Sequence, residues 1–396
     1  MYKLMPLEKN VEEMFIGPFG SSLKSDCFVD KKDGYCMVYE QKHAIQKSMN
    51  VETRYISETK YRELQRFNVQ GGDIIVSCRG TIGETYIVPD DAPLGIMHPS
   101  IMKIRLKEGV YDRHFFNLLL ISRLKLHESE ANGSGVKMAI SASELGKEIF
   151  PVPSLHEQQK IADIISKTLK LIKSRQSQLD ALDNLVKARF VEMFGDPISN
   201  PRGWKVITLL DSLAEGRTVT YGIVQTGDEV EDGVPVFRPI DISGDHIPKR
   251  HELKKTDPRI SNQYKRTLLR GNELLITVRG SVGETFQTTP EFEGCNVGRN
   301  IVPLVTDSKK VLQRFLKELF AQDAIKKWLK GITKGIALQG LNMGEFKDMP
   351  VIQPPMEEQK RFVQFAIQID KSKAIIQQQL DHLETLRQSL MQEYFG

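Results

Sequence analysis

Two short segments carry residue types suited to gripping a phosphate or a base edge. Arg79-Gly80-Thr81-Ile82-Gly83 and Arg279-Gly280-Ser281-Val282-Gly283 each place a guanidinium, a hydroxyl and two glycines within five residues. Arginine forks onto phosphate or guanine, Ser and Thr donate to phosphate, and glycine lets backbone N–H groups approach a partner closely. Two structural readings stand beside this one. Glycine-rich turns often serve topology alone, and each arginine has a glutamate five residues on (Glu84, Glu284) that suits a structural clamp. Other loops share the character. Gly17-Pro-Phe-Gly-Ser-Ser-Leu-Lys24 and Thr220-Tyr-Gly-Ile-Val-Gln-Thr-Gly227 set small polar residues beside an aromatic, and Met97-His-Pro-Ser100 occupies the place of Asn296-Val-Gly-Arg-Asn300.

Catalytic patterns are missing from the sequence. There is no G-x-x-x-x-G-K-[ST] phosphate loop. Asn200-Pro201-Arg202-Gly203 only superficially matches the Asn-Pro-Pro-aromatic motif of adenine methyltransferases, since the second proline and the aromatic are absent. The eight histidines are scattered without metal-ligand spacing. Pairings such as Glu252-Leu253-Lys254 are too common in charged loops to mark a nuclease centre. Nothing assembles a nucleophile, a base and an oxyanion site, so the chain reads as non-catalytic with no metal site.

The arginine loops belong to a larger pattern, a repeat at an offset of 200 residues. Gly71–Thr85 (GGDIIVSCRGTIGET) and Gly271–Thr285 (GNELLITVRGSVGET) share six of fifteen positions: Gly71, Arg79, Gly80, Gly83, Glu84 and Thr85. The register recurs at Gln159-Lys160 against Gln359-Lys360, and drifts slightly at Phe194-Gly195 against Phe395-Gly396. A period this long exceeds the roughly 20–50 residues of solenoid repeats. It indicates a duplicated domain with two similar sites related by approximate two-fold symmetry.

Each copy has two parts. The first is α+β: apolar runs at 73–78, 101–106, 273–278 and 300–305 read as strands between Gly, Pro and Asp turns, followed by helical stretches at 112–126 and 311–329. The second part is a long amphipathic helix. After Pro153 no Gly or Pro occurs from Ser154 to Phe194, and apolar residues recur at Ile161, Ile165, Leu169, Ile172, Leu179, Leu182, Val186, Phe190 and Met193. The second helix follows Pro354-Pro355, with Phe362, Phe365, Ile369, Ile376, Leu380, Leu383, Leu386, Leu390 and Tyr394. At 1.5 Å rise per residue each would span about 57 Å, too long to pack only on its own domain. The stripes suit one another as an antiparallel coiled-coil pair. Its expected contacts are Ile161, Ile165, Ile172, Leu179, Leu182 and Val186 with Phe362, Ile369, Ile376, Leu380, Leu383 and Leu390. The predicted organisation is a globular domain over 1–153, a helix over 154–195, a second globular domain over 196–353 and a helix over 354–396.

Composition sets looser bounds. A chain of 396 residues accommodates two to four domains. No apolar run nears the ~20 residues of a membrane span, and the N-terminus lacks the layout of a signal peptide. Cys27, Cys36, Cys78 and Cys295 show no framework spacing, which suits reduced thiols in a cytosol. The net charge of +4 permits nucleic-acid binding without arguing for it. Between Arg238 and Arg270, Lys249, Arg250, Lys254, Lys255, Arg259, Lys265 and Arg266 form a basic stretch, although Asp241, Asp245, Glu252 and Asp257 favour a solvated loop.

Over nearly its whole length the chain resembles the DNA-specificity subunits of type I restriction–modification systems. Met193-Phe-Gly-Asp-Pro197 followed by Asn200-Pro-Arg-Gly-Trp204 is similar to the family's junction between the central helix and the second recognition domain. Pro153-Ser-Leu-His-Glu-Gln-Gln-Lys160 and Pro354-Pro-Met-Glu-Glu-Gln-Lys360 resemble its helix-start motif, the second read as one residue shorter. The resemblance implies a prokaryotic cytosolic subunit that binds double-stranded DNA, each recognition domain reading half of a bipartite site. It implies two methyltransferase subunits docked on the helices, and restriction subunits recruited to the complex. S-adenosylmethionine, ATP and Mg²⁺ would serve those partners, with no cofactor in this chain. Candidate DNA contacts are Ser21, Ser22, Lys24, Arg79 and Thr81 in the first domain, and Tyr221, Gln225, Arg279, Ser281 and Arg299 in the second. The rival readings are a protein-assembly adaptor that binds no DNA and a stand-alone nuclease.

Overall fold

The computed structural model describes residues 2–79, 81–132, 141–242, 248–334 and 340–395. Gly80 and Asp245 lie outside the described residues. The chain divides into two units. One comprises Met1–Ser174 with Leu380–Gly396, the other Arg175–Gln379. Both divisions fall inside long helices, Leu155–Phe194 and Met356–Phe395, each of 40 residues.

In the first unit, strands run in the order Val11–Ile16, Ile101–Leu106, Ile74–Ser77, Thr85–Ile87, all antiparallel. A second sheet has Cys36–Tyr39 parallel to Gly95–Met97, flanked by Tyr55–Ile56 and Asn68–Val69. Ile74 and Val76 enter one core while Ile75 enters another. A strand covered on both faces has no use for alternation, which is why 74–76 reads as an unbroken apolar run. At the strand's start the buried Asp73 accepts two hydrogen bonds from Arg105 (2.7 and 2.8 Å), so the carboxylate enters the core paired.

The second unit repeats this frame. Thr285–Gln287, Leu274–Thr277 and Ile301–Leu304 pair antiparallel, with Leu274 opposite Leu304 and Ile276 opposite Thr285. The same pairings occur 200 residues earlier, Ile74 opposite Ile104 and Val76 opposite Thr85. Leu274 and Ile276 face one core and Leu275 the other. Val234–Phe237 runs parallel to Asn296–Val297, as Cys36–Tyr39 does to Gly95–Met97. The helical stretch differs between copies. Arg113–Asn132 is continuous, whereas the expected helix over 311–329 is two, Gln313–Phe320 and Asp323–Gly331. Gln322 turns extended (ψ 138°) between them, and its side chain donates to the Glu318 carbonyl (3.0 Å).

The helix starts revise the repeat register. Gln158 accepts from Asp112 N–H (2.8 Å) and donates to the Val110 and Pro153 carbonyls (2.9 Å each). Gln359 accepts from Leu312 N–H (2.9 Å) and donates to the carbonyls of Lys310 (3.0 Å) and Pro354 (2.9 Å). The equivalent of Gln359 is therefore Gln158, at an offset of 201, and not Gln159, which is exposed. Pro153 and Pro354 share that offset, so the two helix-start motifs have equal length. The first helix also begins in a capping box, in which the Ser154 N–H donates to Glu157 (3.0 Å) and the Glu157 N–H to the Ser154 hydroxyl (3.4 Å).

The apolar stripes bury themselves differently from the expectation of mutual pairing alone. In the second unit Val186, Phe190 and Phe194 share a core with Phe362, Ala366 and Phe315, with Phe194–Phe315 centroids 5.0 Å apart. In the first unit Ile161 and Ile165 share a core with Leu390 and Phe395, with Phe115–Phe395 centroids 5.6 Å apart. Each unit thus packs the beginning of one long helix and the end of the other into its own globular core. Asp183 and Lys373 form an ion pair (2.6 Å) in the second unit. With Phe190–Phe362 centroids 5.4 Å apart, this sets the two segments antiparallel. The twelve expected pairing residues are buried or half-buried, but Leu169 and Leu386 of the stripes are exposed.

At the junction, Gly195 (φ +76°) ends the helix. The Asp196 carboxylate accepts from Ile198 and Ser199 N–H (2.8 and 2.9 Å), and the Asn200 side chain brackets Trp204 through its N–H and carbonyl (2.9 and 2.7 Å). Trp204 Nε1 then donates to the Phe194 carbonyl (3.0 Å). The Gly-Asp-Pro and Asn-Pro-x-Gly-Trp residues therefore form a hydrogen-bonded turn that returns the chain onto its own helix end.

Candidate nucleic-acid interface

Three loops converge at one end of the sheets in the first unit, joined by backbone hydrogen bonds. Cys78 N–H donates to the Ser100 carbonyl (2.8 Å), His98 N–H to Tyr39 (2.8 Å) and Gly17 N–H to Ile101 (3.0 Å). Gly17 lies so close to the middle loop that a Cβ there would sit 2.3 Å from the His98 oxygen. The second unit builds the same junction from different residues. Val278 N–H donates to Asn300 (2.8 Å), Gly298 to Phe237 (2.9 Å), Ile223 to Val297 (2.8 Å) and Arg299 to Ile223 (2.8 Å). Gly222 takes the role of Gly17, for a Cβ on it would sit 1.8 Å from the Val297 oxygen.

The arginine loops are closed by their own frame. Gly83 N–H donates to the Ser77 carbonyl (2.9 Å), and Glu84 N–H to the Ser77 hydroxyl (3.0 Å). Gly283 and Glu284 bind Thr277 in the same way (2.9 and 3.0 Å), and the Thr277 hydroxyl also donates to the Ser281 carbonyl. Gly83 and Gly283 hold φ near +85° and +91°, a conformation that glycine alone adopts without strain. The glycines therefore do topological work, as the structural reading expected, while Arg79, Thr81, Arg279 and Ser281 remain exposed at the loop surface.

The arginine–glutamate clamp is absent. Glu84 pairs with Lys47 (3.5 Å), and neither Arg79 nor Arg279 forms an ion pair among the described residues. Arg279 is steadied instead through its backbone, which bridges Gly340 while Leu341 N–H donates to Val278 (2.9 Å). Ser21 and Ser22 lie on the short 3₁₀ turn Gly20–Ser22 after Gly17, and Lys24 follows it, exposed. In the second unit Tyr221 and Arg299 flank the Ile223 bridge beside Arg279. Gln225 is exposed on the next stretch, which Thr256 fixes by donating to the Thr226 carbonyl (2.5 Å).

The fold adds residues that sequence reasoning missed. Glu40, just past the parallel strand, is buried and pairs with Lys42 (3.0 Å) and Arg54. Arg54 also lies 4.0 Å over the Phe28 ring. Burial pushes the Glu40 carboxyl up, but the hydrogen bonds and charges of Arg54 and Lys42 outweigh it and hold the group below the usual carboxylate range. Burial lowers His98, and the charges of Arg54, Arg79 and Lys42 add to that against Glu40, so its imidazole is neutral and available to Ser100 Oγ (2.8 Å). Arg238 and Ile240 hold the positions of Glu40 and Lys42 in the second unit, and Arg238 pairs with Asp241 (2.8 Å). No short motif joins residues 40, 54, 79 and 98; parallel pairing brings 98 beside 40, and antiparallel pairings bring in 54 and 79.

The basic stretch 238–270 is largely structural. Lys254 donates to Gly227 (2.8 Å), Lys255 to Glu231 (2.6 Å), and Arg250 to Glu291 and Glu293 carbonyls (2.6 and 2.7 Å). Arg259 pairs with Asp257 (2.7 Å). Lys265 and Arg266 are exposed and form no ion pair among the described residues. Cys36, Cys78 and Cys295 are buried thiols pushed up to about 11, hence protonated and unsuited to nucleophilic attack. Among the described residues no three His, Cys, Asp or Glu side chains gather as a metal site, and no helix is long and apolar enough to cross a membrane.

Known proteins share this frame. The family profile described as the type I restriction modification DNA specificity domain matches residues 13–183 and 201–385. The chain is similar to the EcoBI specificity subunit of Escherichia coli, 25% identical over 95% of this chain and 82% of that protein. It is also similar to a putative MjaX specificity subunit of Methanocaldococcus jannaschii, 19% identical over 85% and 80%. The fold is like that of the S subunit from M. genitalium (TM-score 0.55, 14% identity, 100% of this chain and 96% of that one). It is equally like a chain from a structure of type I system assembly and conformational transition (TM-score 0.56, 17% identity, 100% and 97%). Two profile matches, one over each copy of a frame that ends in exposed, differently furnished loops, place the chain in the type I restriction–modification DNA specificity family as a DNA-recognition subunit.

Proposed function

We propose that the two units each read one half of a bipartite duplex target, and that the long helices set the gap while docking two methyltransferase subunits. The observation that carries this reading is the pairing of a common frame with unlike side chains. The bonds Cys78–Ser100 and His98–Tyr39 recur as Val278–Asn300 and Gly298–Phe237, yet the two junctions display Glu40, Lys42, Arg54 and His98 in one unit and Arg238, Ile240 and Arg299 in the other. Arg79 and Arg279, with Lys24, supply phosphate or guanine contacts. The neighbouring unlike residues supply base discrimination.

In this reading the chain is a non-catalytic cytosolic subunit. S-adenosylmethionine serves the methyltransferase partners, which methylate adenine N6, and ATP and Mg²⁺ serve restriction subunits recruited to the assembly. A genome-wide map of N6-methyladenine, with and without this gene, tests the proposal. A bipartite motif that disappears with the gene is the expected result. An unchanged map while the gene and its partners are expressed overturns it.

A further inference from the structure

The turn after Gly17 carries one side chain that its polar chemistry leaves unexplained. Phe19 is 86% exposed, the most of any large hydrophobic side chain among the described residues. Pro18 before it and Leu23 at the end of the turn are buried and anchor the segment. Ser22 N–H closes the turn onto the Phe19 carbonyl (2.8 Å), and Gly17 is seated against His98. The ring is therefore held outward on an anchored turn, and it meets no other ring or cation among the described residues.

Its surroundings narrow what could cover it. Ser21 lies on the same turn and Lys24 just beyond it, and the His98 loop against which Gly17 packs also joins the Arg79 loop. This is a rim suited to phosphates, yet a phenyl ring offers a phosphate nothing. Against duplex DNA, an apolar ring raised within a cationic rim finds cover on a base face. We propose that Phe19 is an apolar wedge that stacks on a base at one step of the first unit's half-site and partly unstacks that step. Among the described residues of the second unit no aromatic side chain is as exposed, and Ile240, 74% exposed, has no ring to stack. Tyr221, beside Gly222, is only 45% exposed and carries a hydroxyl.

The inference rests on the DNA-reading function, so the test separates the two. Complexes with the methyltransferase partners would be bound to duplexes carrying 2-aminopurine singly at each step of the first half-site. Wild type is expected to raise emission at one step beyond the methylated adenine. Phe19→Ala should abolish that rise and weaken site binding about ten-fold, about 1.4 kcal/mol, with the salt dependence unchanged. Phe19→Trp should keep both. If Phe19→Ala retains emission and affinity while Arg79→Ala weakens binding, the wedge is wrong and DNA reading stands. If uracil in place of thymine reproduces the Phe19→Ala loss, the ring touches a thymine methyl and the wedge is also wrong. If the wild-type complex shows no site binding, both ideas fail together.

Discussion

Gln359→Leu should destabilise the second unit by about 3 kcal/mol. The side chain is fully buried and serves three backbone groups: Leu312 N–H, the Lys310 carbonyl and the Pro354 carbonyl. Leucine fills a similar volume but removes all three bonds, leaving the Lys310 carbonyl only a long contact from the Gln353 amide (3.4 Å). At about 1 kcal/mol net per hydrogen bond the sum is about 3 kcal/mol. For a unit of this size that lowers the melting midpoint by about 6–12 °C. The readout is selective, because both tryptophans, Trp204 and Trp328, lie in the Arg175–Gln379 unit, so their emission follows its unfolding. Gln158→Leu should cost the same in the first unit, read by amide hydrogen exchange of 101–106. Gln159→Leu, at an exposed position, should stay within about 0.5 kcal/mol. A loss under about 1 kcal/mol for Gln359→Leu would refute the reasoning, as would equal effects at Gln158 and Gln159.

Three further expectations concern the loops. Arg79→Ala and Arg279→Ala should each lower the DNA affinity of the assembled complex and reduce its log–log salt slope by about 1; an unchanged slope and methylation motif for Arg279→Ala would remove that loop from the interface. Gly222→Ala forces a Cβ to 1.8 Å from the Val297 carbonyl and should lower both the Trp-monitored midpoint and DNA affinity, whereas Gly20→Ala, which meets nothing within 4 Å, should leave stability unchanged. His43, buried on the helix Gln41–Gln46, and His98 in its loop are both lowered, chiefly by burial, so the folded state resists their protonation. Their contribution is intact above the unfolded value of about 6.5 and is lost as pH falls below it, levelling off beneath the folded values. NMR titration should find both imidazoles titrating below the ordinary histidine value, and a value at or above about 6.5 for either contradicts the burial argument.

The sequence made the sheet frame legible because the strands obey a simple physical code. Ile74–Ser77 and Leu274–Thr277 are covered on both faces, so both copies keep continuous apolar runs at one offset. The helix starts were less legible. Identity at Gln159-Lys160 and Gln359-Lys360 suggested an offset of 200, but the chemistry selects the glutamine that reaches three backbone groups, and that is Gln158. Stripe periodicity revealed the long helices without revealing their partners. A buried Phe194 or Phe395 has the same spacing whether it meets another helix or a domain core. The break at Gln322 was hidden because neither Gly nor Pro marks it. The interface was half visible. Glycine and arginine flagged two loops, whereas Glu40, Arg54 and His98 come together only through long-range strand pairing, parallel for His98 and antiparallel for Arg54.

That division has a physical basis in which atoms do the holding. The junctions Cys78–Ser100, Val278–Asn300, His98–Tyr39 and Gly298–Phe237 are all main-chain bonds. They constrain side-chain identity only where a Cβ cannot fit, at Gly17 and Gly222, or where a hydroxyl closes the loop, at Ser77 and Thr277. Besides these and the positive-φ glycines Gly83 and Gly283, exposed positions at this end of the sheets, such as Ser21, Lys24, Thr81 and Gln225, can exchange their side chains without opening the frame. A DNA reader needs this separation. Base discrimination demands side chains that differ between half-sites, and each good bidentate contact is worth about 1–3 kcal/mol only if its backbone is fixed beforehand. Exchange of the exposed Ser21 and Thr81, or of Gln225 in the second unit, should therefore alter which bases each unit accepts at little cost in stability. Changing Gly17 or Ser77 should cost stability first and specificity as its consequence.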